Sequence, residues 1–273
     1  MSNFLQQMAT SSAARAAAAA STLTATALDR PVFPLKLNGF DLIAELKERS
    51  PVEGDLTNAA TGRAERASSY ADGGAAAISV LTEPDRFDGE LAHLEEVVDA
   101  VSDREVPVMR KDFLVDTVQI LEAKAAGASG VLLIAAILDD RELANMLDCA
   151  FEHNLFVLLE SFDTVDLERS AHILQKVKIR EQAAKQKFLI GVNTRDLRTL
   201  AVDPMRLRRF APLLPANAIG VAESGQRNIG DVSQVAGWGY RMALVGTALM
   251  KAKQPGALIA EMLAAGRSAV MAQ

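Results

Sequence analysis

Short apolar runs along this chain end, one after another, in an ionisable or amide side chain. Glu45 and Lys47 close FDLIAELK, Lys111 closes VPVMRK, Glu160 closes LFVLLE, Asn193 closes FLIGVN and Glu223 closes AIGVAE. Lysine and glutamate are seldom buried without a partner, so six such residues at strand-like ends point to one shared polar pocket. A (β/α)8 barrel gathers its active site in this way, from the C-terminal ends of several strands.

The rest of the pattern fits that architecture. AAAISVL, GVLLIAA and MALVGTA bring the strand-like runs to eight, and helical stretches such as TVQILEAKAAGA, DRELANMLDCAFEHN and TVDLERSAHILQKV lie between runs. Nearly continuous apolar strands joined by crossover helices imply a parallel sheet covered on both faces. The expected fold is α/β: a single (β/α)8 TIM barrel over residues 40–273, preceded by a helical and then extended segment over 1–39. An open doubly wound sheet would predict a glycine-rich dinucleotide loop after the first strand, and ERSPVEGD stands there instead. The polar, basic segment QKVKIREQAAKQK, residues 175–187, reads as an exposed extension of the fifth helix.

Composition excludes several classes of function. A formal net charge of −6 lacks the basic footprint of a nucleic-acid binder. The one cysteine, Cys149, permits no intrachain disulfide and no cysteine-rich zinc site. His93, His153 and His172 are scattered, with no pair at ligand spacing, so no metal is expected. No apolar run approaches the roughly 18 residues of a membrane span. SSAARAAAAASTLTATA lacks the cationic and Leu/Val-rich parts of a signal peptide; it reads as a helix, and the expected location is cytoplasmic.

Strand parity groups the polar residues. Alternate side chains share a face, so Glu45 pairs with Lys47, Lys111 with Phe113, and Asn193 with Arg195. Surface ion pairs at strand ends would explain any one of these pairs, but not the set spread over five strands. A second signal is anion binding near the last two strands. Ser224 and Gly225 in ESGQRNIGDV, and Gly246 and Thr247 in VGTALM, each follow a strand and precede a helical run. Glycine lets backbone amides approach an oxyanion, a helix N-terminus favours negative charge, and barrels often hold phosphate after strands seven and eight. The residues sketch a phosphorylated, anionic substrate, with Lys–Glu pairs able to move protons.

From about Phe40 to Leu263 the chain resembles the indole-3-glycerol-phosphate synthase family of tryptophan biosynthesis. IAELKERSP, YADGGAAAISVLTEPDRFDGE, PVMRKDF, ASGVLLIAAIL, IGVNTRDL, VAESG and LVGTALM carry the resemblance. It implies a cofactor-free and metal-free carboxy-lyase. The implied substrate is 1-(2-carboxyphenylamino)-1-deoxyribulose 5-phosphate, and the products are indole-3-glycerol phosphate, carbon dioxide and water. It further implies that Lys111 is the acid for ring closure and Glu160 the base for dehydration. Lys47 would bind substrate and share the acid work, and Glu45 would tune the lysines. Asn193 would hold the intermediate, Arg195 the carboxylate, and Phe113 the aromatic ring. Glu223 would form a polar wall, while Ser50, Ser224, Gly225, Gly246 and Thr247 would serve the phosphate. A monomer is expected, with possible association with other enzymes of the pathway left open.

The chain departs from the family pattern in places. Val52 replaces a hydroxyl and Glu53 adds negative charge in SPVEG, Thr247 stands for a usual serine, the stretch between Glu160 and Asn193 is long, and the Ala-rich N-terminus matches poorly. Two other readings follow: a non-catalytic relative that binds an anion, and phosphoribosylanthranilate isomerase, whose Cys/Asp chemistry Cys149 would have to serve.

Overall fold

The computed structural model describes residues 3–19, 28–50, 54–56 and 62–272, so Val52 and Glu53 lie outside the described residues, as does the side chain of Ser50. Eight parallel strands close a barrel: β1 (Asp41–Leu46), β2 (Ala77–Leu81), β3 (Val108–Lys111), β4 (Gly130–Ile134), β5 (Phe156–Ser161), β6 (Phe188–Asn193), β7 (Ile219–Glu223) and β8 (Met242–Val245). Each strand pairs with its neighbour in sequence, and β8 returns to β1 with Asp41 opposite Met242 and Ala44 opposite Val245. A small antiparallel ribbon, Arg49–Ser50 with Gly54–Asp55, follows β1.

Helices cover the outside: α1 (Phe4–Ala19), α2 (Arg63–Asp72), α3 (Pro84–Phe87), α4 (Leu91–Val101), α5 (Thr117–Ala125), α6 (Asp140–Glu152), α7 (Thr164–Leu174), α8 (Val177–Ala184), α9 (Arg206–Phe210), α10 (Ile229–Gly237), α11 (Thr247–Lys251) and α12 (Pro255–Met271). Several start on side chains suited to the task. Asp116, Asp139 and Asn228 each form a capping box with the third helical residue, which satisfies amides that the helix cannot.

Alternation along the strands divides the apolar residues into two cores. Ile43, Met109, Leu132, Leu158, Leu189 and Met242 fill the barrel, while Leu42, Val80, Val131, Val157 and Ile190 meet the helices. Gly130 makes room inside, because a Cβ there would sit 2.4 Å from the Phe156 ring. Removing a buried Phe of this kind costs about 3–5 kcal/mol.

Two segments depart from the sequence reading. The basic stretch is not a continuation of α7. Gln175 caps that helix, the chain turns, and α8 buries Ile179 and Ala183 one helical turn apart. In the N-terminal segment, α1 begins ahead of the Ala-rich run, and residues 20–27 of that run lie outside the described residues. Leu5, Met8, Ser12, Ala16 and Ala19 form its buried stripe, at the spacing a helical face requires. Arg15 grips Asp112 with two hydrogen bonds of 2.8 Å, and Gln119 Nε2 donates to Ser12 Oγ at 2.8 Å. The helix is thereby pinned beside the end of β3.

Candidate active site

A cavity of about 760 Å³ opens at the C-terminal ends of the strands. Glu45, Lys47, Lys111, Phe113, Asn193, Arg195, Glu223, Ser224, Gly225, Gly246 and Thr247 all line it. Glu160 is brought to the same cluster but lies behind the wall, with no exposed surface. Ser50 sits in the ribbon after β1, opposite Gly54.

The polar centre is a chain of charges. Lys47 Nζ donates to Glu45 Oε1 at 2.6 Å. Lys111 Nζ lies between two carboxylates, 4.0 Å from Glu45 Oε2 and 3.8 Å from Glu160 Oε2. Burial favours the neutral amine of Lys111, but the surrounding carboxyls, Glu160 and Glu45 foremost, outweigh it and push its pKa up to about 12. The ammonium is therefore fully loaded at neutral pH. Burial likewise disfavours the charged form of Glu45, yet the cations of Lys47 and Lys111 hold its carboxyl below the usual range. Glu223 goes the other way. Burial first, then the charge of Glu160, raise it well above an ordinary carboxyl, and Lys111 offsets only part of this. One cluster thus holds carboxyls pushed in opposite directions, the arrangement that lets one site run acid and base steps.

Asn193 fixes the far side. Its Nδ2 donates to Glu160 Oε1 at 2.9 Å, and its Oδ1 accepts from the Arg195 amide at 2.9 Å. Arg206 holds the Asn193 carbonyl from beneath at 2.9 Å. Phe113 stands at the apolar end with Phe4 of α1 edge-on at 6.2 Å and Phe87 of α3 tilted at 6.3 Å between centroids. Such a cluster suits a flat aromatic group.

The two glycine loops differ from each other. After β7, Ser224 and Gly225 both take left-handed backbone, with φ of 63° and 93°. Only glycine does so without strain, and a strained serine at a pocket wall is the kind of outlier that marks a working site. Here α10 is not an open anion site: Asp231 accepts from the amides of Arg227 and Asn228, and Asn228 caps the amide of Asp231. The helix-dipole contribution expected at Ser224–Gly225 is therefore already taken up by the protein. After β8, α11 starts directly at Thr247 with no side-chain cap. Gly246 has a second duty that the sequence did not disclose. A Cβ there would lie 2.4 Å from Glu45 Oε1 and 2.9 Å from Lys47 Nζ, so glycine leaves space for that ion pair.

Sequence reasoning missed Phe4, Phe87, Arg227 and Lys251, all of which line the pocket. Phe87 fell within a quoted motif but outside any strand, where parity has no force. Phe4 belongs to a helix remote in sequence from every strand, and nothing local announces its destination. Cys149 lies in α6, outside the pocket lining, and burial followed by Glu152 and Asp116 raises its thiol to about 11. It is no nucleophile or acid for this site. Among the described residues, no group of three or more His, Cys, Asp or Glu is placed to hold a metal, and no helix is long and apolar enough to cross a membrane.

Comparison with known proteins gives concordant results. The family model described as Indole-3-glycerol phosphate synthase matches residues 6–262. The chain is 44% identical over 233 residues to the Indole-3-glycerol phosphate synthase of Paenarthrobacter aurescens (strain TC1), covering 85% of this chain and 80% of the relative. It is 43% identical over 253 residues to the one from Mycobacterium leprae (strain Br4923), covering 93% and 85%. Among solved structures, 3-hexulose-6-phosphate synthase from Salmonella typhimurium superposes with a TM-score of 0.60 at 16% identity, over 85% of this chain and 99% of that one. Orotidine 5'-phosphate decarboxylase from Pyrococcus horikoshii OT3 gives 0.53 at 14% identity, over 84% and 99%. At such identities the last two speak for the barrel fold alone.

Proposed function

This chain belongs to the indole-3-glycerol phosphate synthase family, and on that premise we propose that its pocket converts 1-(2-carboxyphenylamino)-1-deoxyribulose 5-phosphate to indole-3-glycerol phosphate, carbon dioxide and water. One observation carries the reading. A loaded Lys111 ammonium stands between Glu45 and Glu160, in a cavity with aromatic side chains at one end and glycine loops at the other.

The substrate's aromatic ring stacks on Phe113, its carboxylate meets Arg195, and its phosphate reaches the Ser224–Gly225 and Gly246–Thr247 loops, with Ser50 also assigned to the phosphate. Lys111 gives its proton to the substrate carbonyl oxygen as the ring carbon attacks. Loss of carbon dioxide restores aromaticity. Glu160 then takes a proton while an acid, with Lys47 sharing that work, releases the hydroxyl as water. Glu160 must be uncovered for this step, because Lys111 and Asn193 shield it in the free protein. Asn193 holds the intermediate, Glu45 anchors Lys47 and favours the charged form of Lys111, and Glu223 walls the polar side. These roles need proton transfers only, so no cofactor or metal is invoked.

We read residues 40–273 as the catalytic barrel and 1–39 as an extension whose helix adds Phe4 to the pocket. We read the protein as a cytoplasmic monomer that acts on a small phosphorylated molecule, with association with pathway neighbours left open. The test is direct: supply the carboxyphenylamino substrate and follow indole fluorescence. Turnover supports the reading, and a folded protein that makes no indole product overturns it.

A further inference from the structure

Glu223 is the least satisfied group in the pocket. It is 1% exposed, and no donor among the described residues reaches either of its carboxyl oxygens. Glu160 is its neighbour, because the Glu223 carboxyl lies over Gly191, which stands opposite Glu160 in the register of β5 and β6; Glu160 is fully buried, with Oε1 held by Asn193 and, among the described residues, no hydrogen-bond donor on Oε2. Buried polar atoms are nearly always partnered, and each exception calls for an explanation. Nor is the placement of Glu223 loose. β6 opens a notch for it, since a Cβ on Gly191 would fall 2.0 Å from its Oε1.

Charge counting gives the explanation. The groups facing Glu223 are Glu45 and Lys47 from β1, Lys111 from β3, Glu160 from β5, and Asn193 and Arg195 at the end of β6; β8 places Leu244 beside it. Lys47 is engaged by Glu45, and Lys111 stands against Glu160. Arg195 lines the same pocket, but no guanidinium or ammonium among the described residues is bonded to either oxygen of Glu223. A single proton shared by Glu160 and Glu223 removes the unpaired charge and supplies the missing donor, as in other close carboxyl pairs.

We propose that Glu223 stands protonated in the resting site and donates a hydrogen bond to Oε2 of Glu160, so that the pair carries one negative charge, on the member beside Lys111. Glu223 is in this respect a positioning residue. The proton stays within the pair, and Glu223 makes or breaks no bond to substrate. Its catalytic consequence rests on the function proposed above, but its protonation does not.

Two measurements separate these. Infrared spectra of the ligand-free protein at neutral pH should show a neutral-carboxyl C=O band that disappears in Glu223→Gln. If no such band is lost, the proposal fails whatever the enzyme does. The second is the acid limb of kcat/KM, which reports the pair as a unit. Glu223→Gln removes no charge and keeps a donor, so the limb should stay within about 0.3 pH unit even as the rate drops. Glu223→Leu removes the donor, so the limb should rise by about one unit. An ionised Glu223 predicts the reverse pattern: both variants delete a negative neighbour and the limb falls. That result would overturn the proposal. A parent protein that forms no indole would sink the functional reading and leave the infrared result to decide this one.

Discussion

Lys111 and Asp112 are adjacent in sequence, both largely buried, and built into two opposite kinds of charge cluster. Asp112 is saturated. Its Oδ1 accepts from Arg15 and the Phe113 amide, and its Oδ2 from Arg15, Thr82 and Arg110. Arg110 in turn reaches Thr82, the Gln119 carbonyl and Glu122. On the pocket side, Lys111 touches its carboxylates only at 3.8 and 4.0 Å, and oxygens of Glu160 and Glu223 lack donors. Charges saturated with donors fix a structure. Charges left short of partners wait for a substrate. Two consecutive residues at the end of β3 thus join the barrel's framework to its chemistry.

The contrast can be broken from either side. The largest expected effect is that of Lys111→Ala, which removes the proposed ring-closing acid. Turnover should fall by about 10²–10⁴, roughly 3–5 kcal/mol of barrier, with the urea midpoint little changed. Turnover within about threefold of the parent would strip Lys111 of the role. Asp112→Ala should do the opposite, costing about 3 kcal/mol of stability, because it takes the carboxylate from half-buried Arg15 and leaves buried Arg110 with Glu122 as its remaining ion-pair partner. Urea titration reads this directly. The sign with pH follows from the same cluster. Burial opposes the Asp112 charge, but Arg15 and Arg110 more than offset it and depress its folded pKa. Its stabilisation is therefore complete above the unfolded value of about 3.9 and lost as pH falls through the lower folded value. Asp112→Asn should flatten that acid-side loss; an unchanged slope would argue against the pairing.

Glu160→Gln should separate the halves of the reaction. Carbon dioxide release in a single turnover should persist while indole formation lags, although lost negative charge beside Lys111 slows the first step somewhat. Equal slowing of both signals in the same quenched samples would remove Glu160 from the dehydration. A smaller effect is expected for Gly246→Ala, whose methyl group meets the Glu45–Lys47 pair as well as the proposed phosphate loop. KM should rise by about tenfold, inorganic phosphate should compete less well, kcat should drop by less than about tenfold, and the added methyl should cost roughly 1–3 kcal/mol of stability. A change in kcat alone would leave the loop without a phosphate role. The smallest effect on chemistry is expected from α8. Ile179→Ala should cost about 2–5 kcal/mol of stability yet leave kcat within about threefold, and a folded but inactive variant would connect α8 to the site.

The barrel was legible because its strands are short and apolar, and five of the eight carry a polar residue at or next to the C-terminal end. Glu45, Lys111, Glu160, Asn193 and Glu223 sit at strand termini, where alternation decides orientation, so one-dimensional spacing carries three-dimensional meaning. Phe4 and Phe87 arrive on helices, and helix docking is set by tertiary packing that no local period records. Gly191 and Gly246 were opaque for another reason: each is defined by the side chain of a different strand that occupies its missing volume. The α8 segment misled because its composition is polar, while the two residues that matter, Ile179 and Ala183, are a minority within it.

The seam between β1 and β8 also bears on how the chain matures. Every other strand pairing joins neighbours in sequence, but Asp41 must find Met242, and the space for the Glu45–Lys47 pair is provided by Gly246 just beyond that last strand. Arg66 reaches the Leu249 carbonyl, and Arg267 ties Asp41 and the Phe40 carbonyl from the final helix. The lysine seat is therefore among the last parts of the molecule to exist. A nascent chain still short of β8 can hold most of its strands in order and have no place to receive a substrate, so synthesis past Gly246 comes before any chemistry.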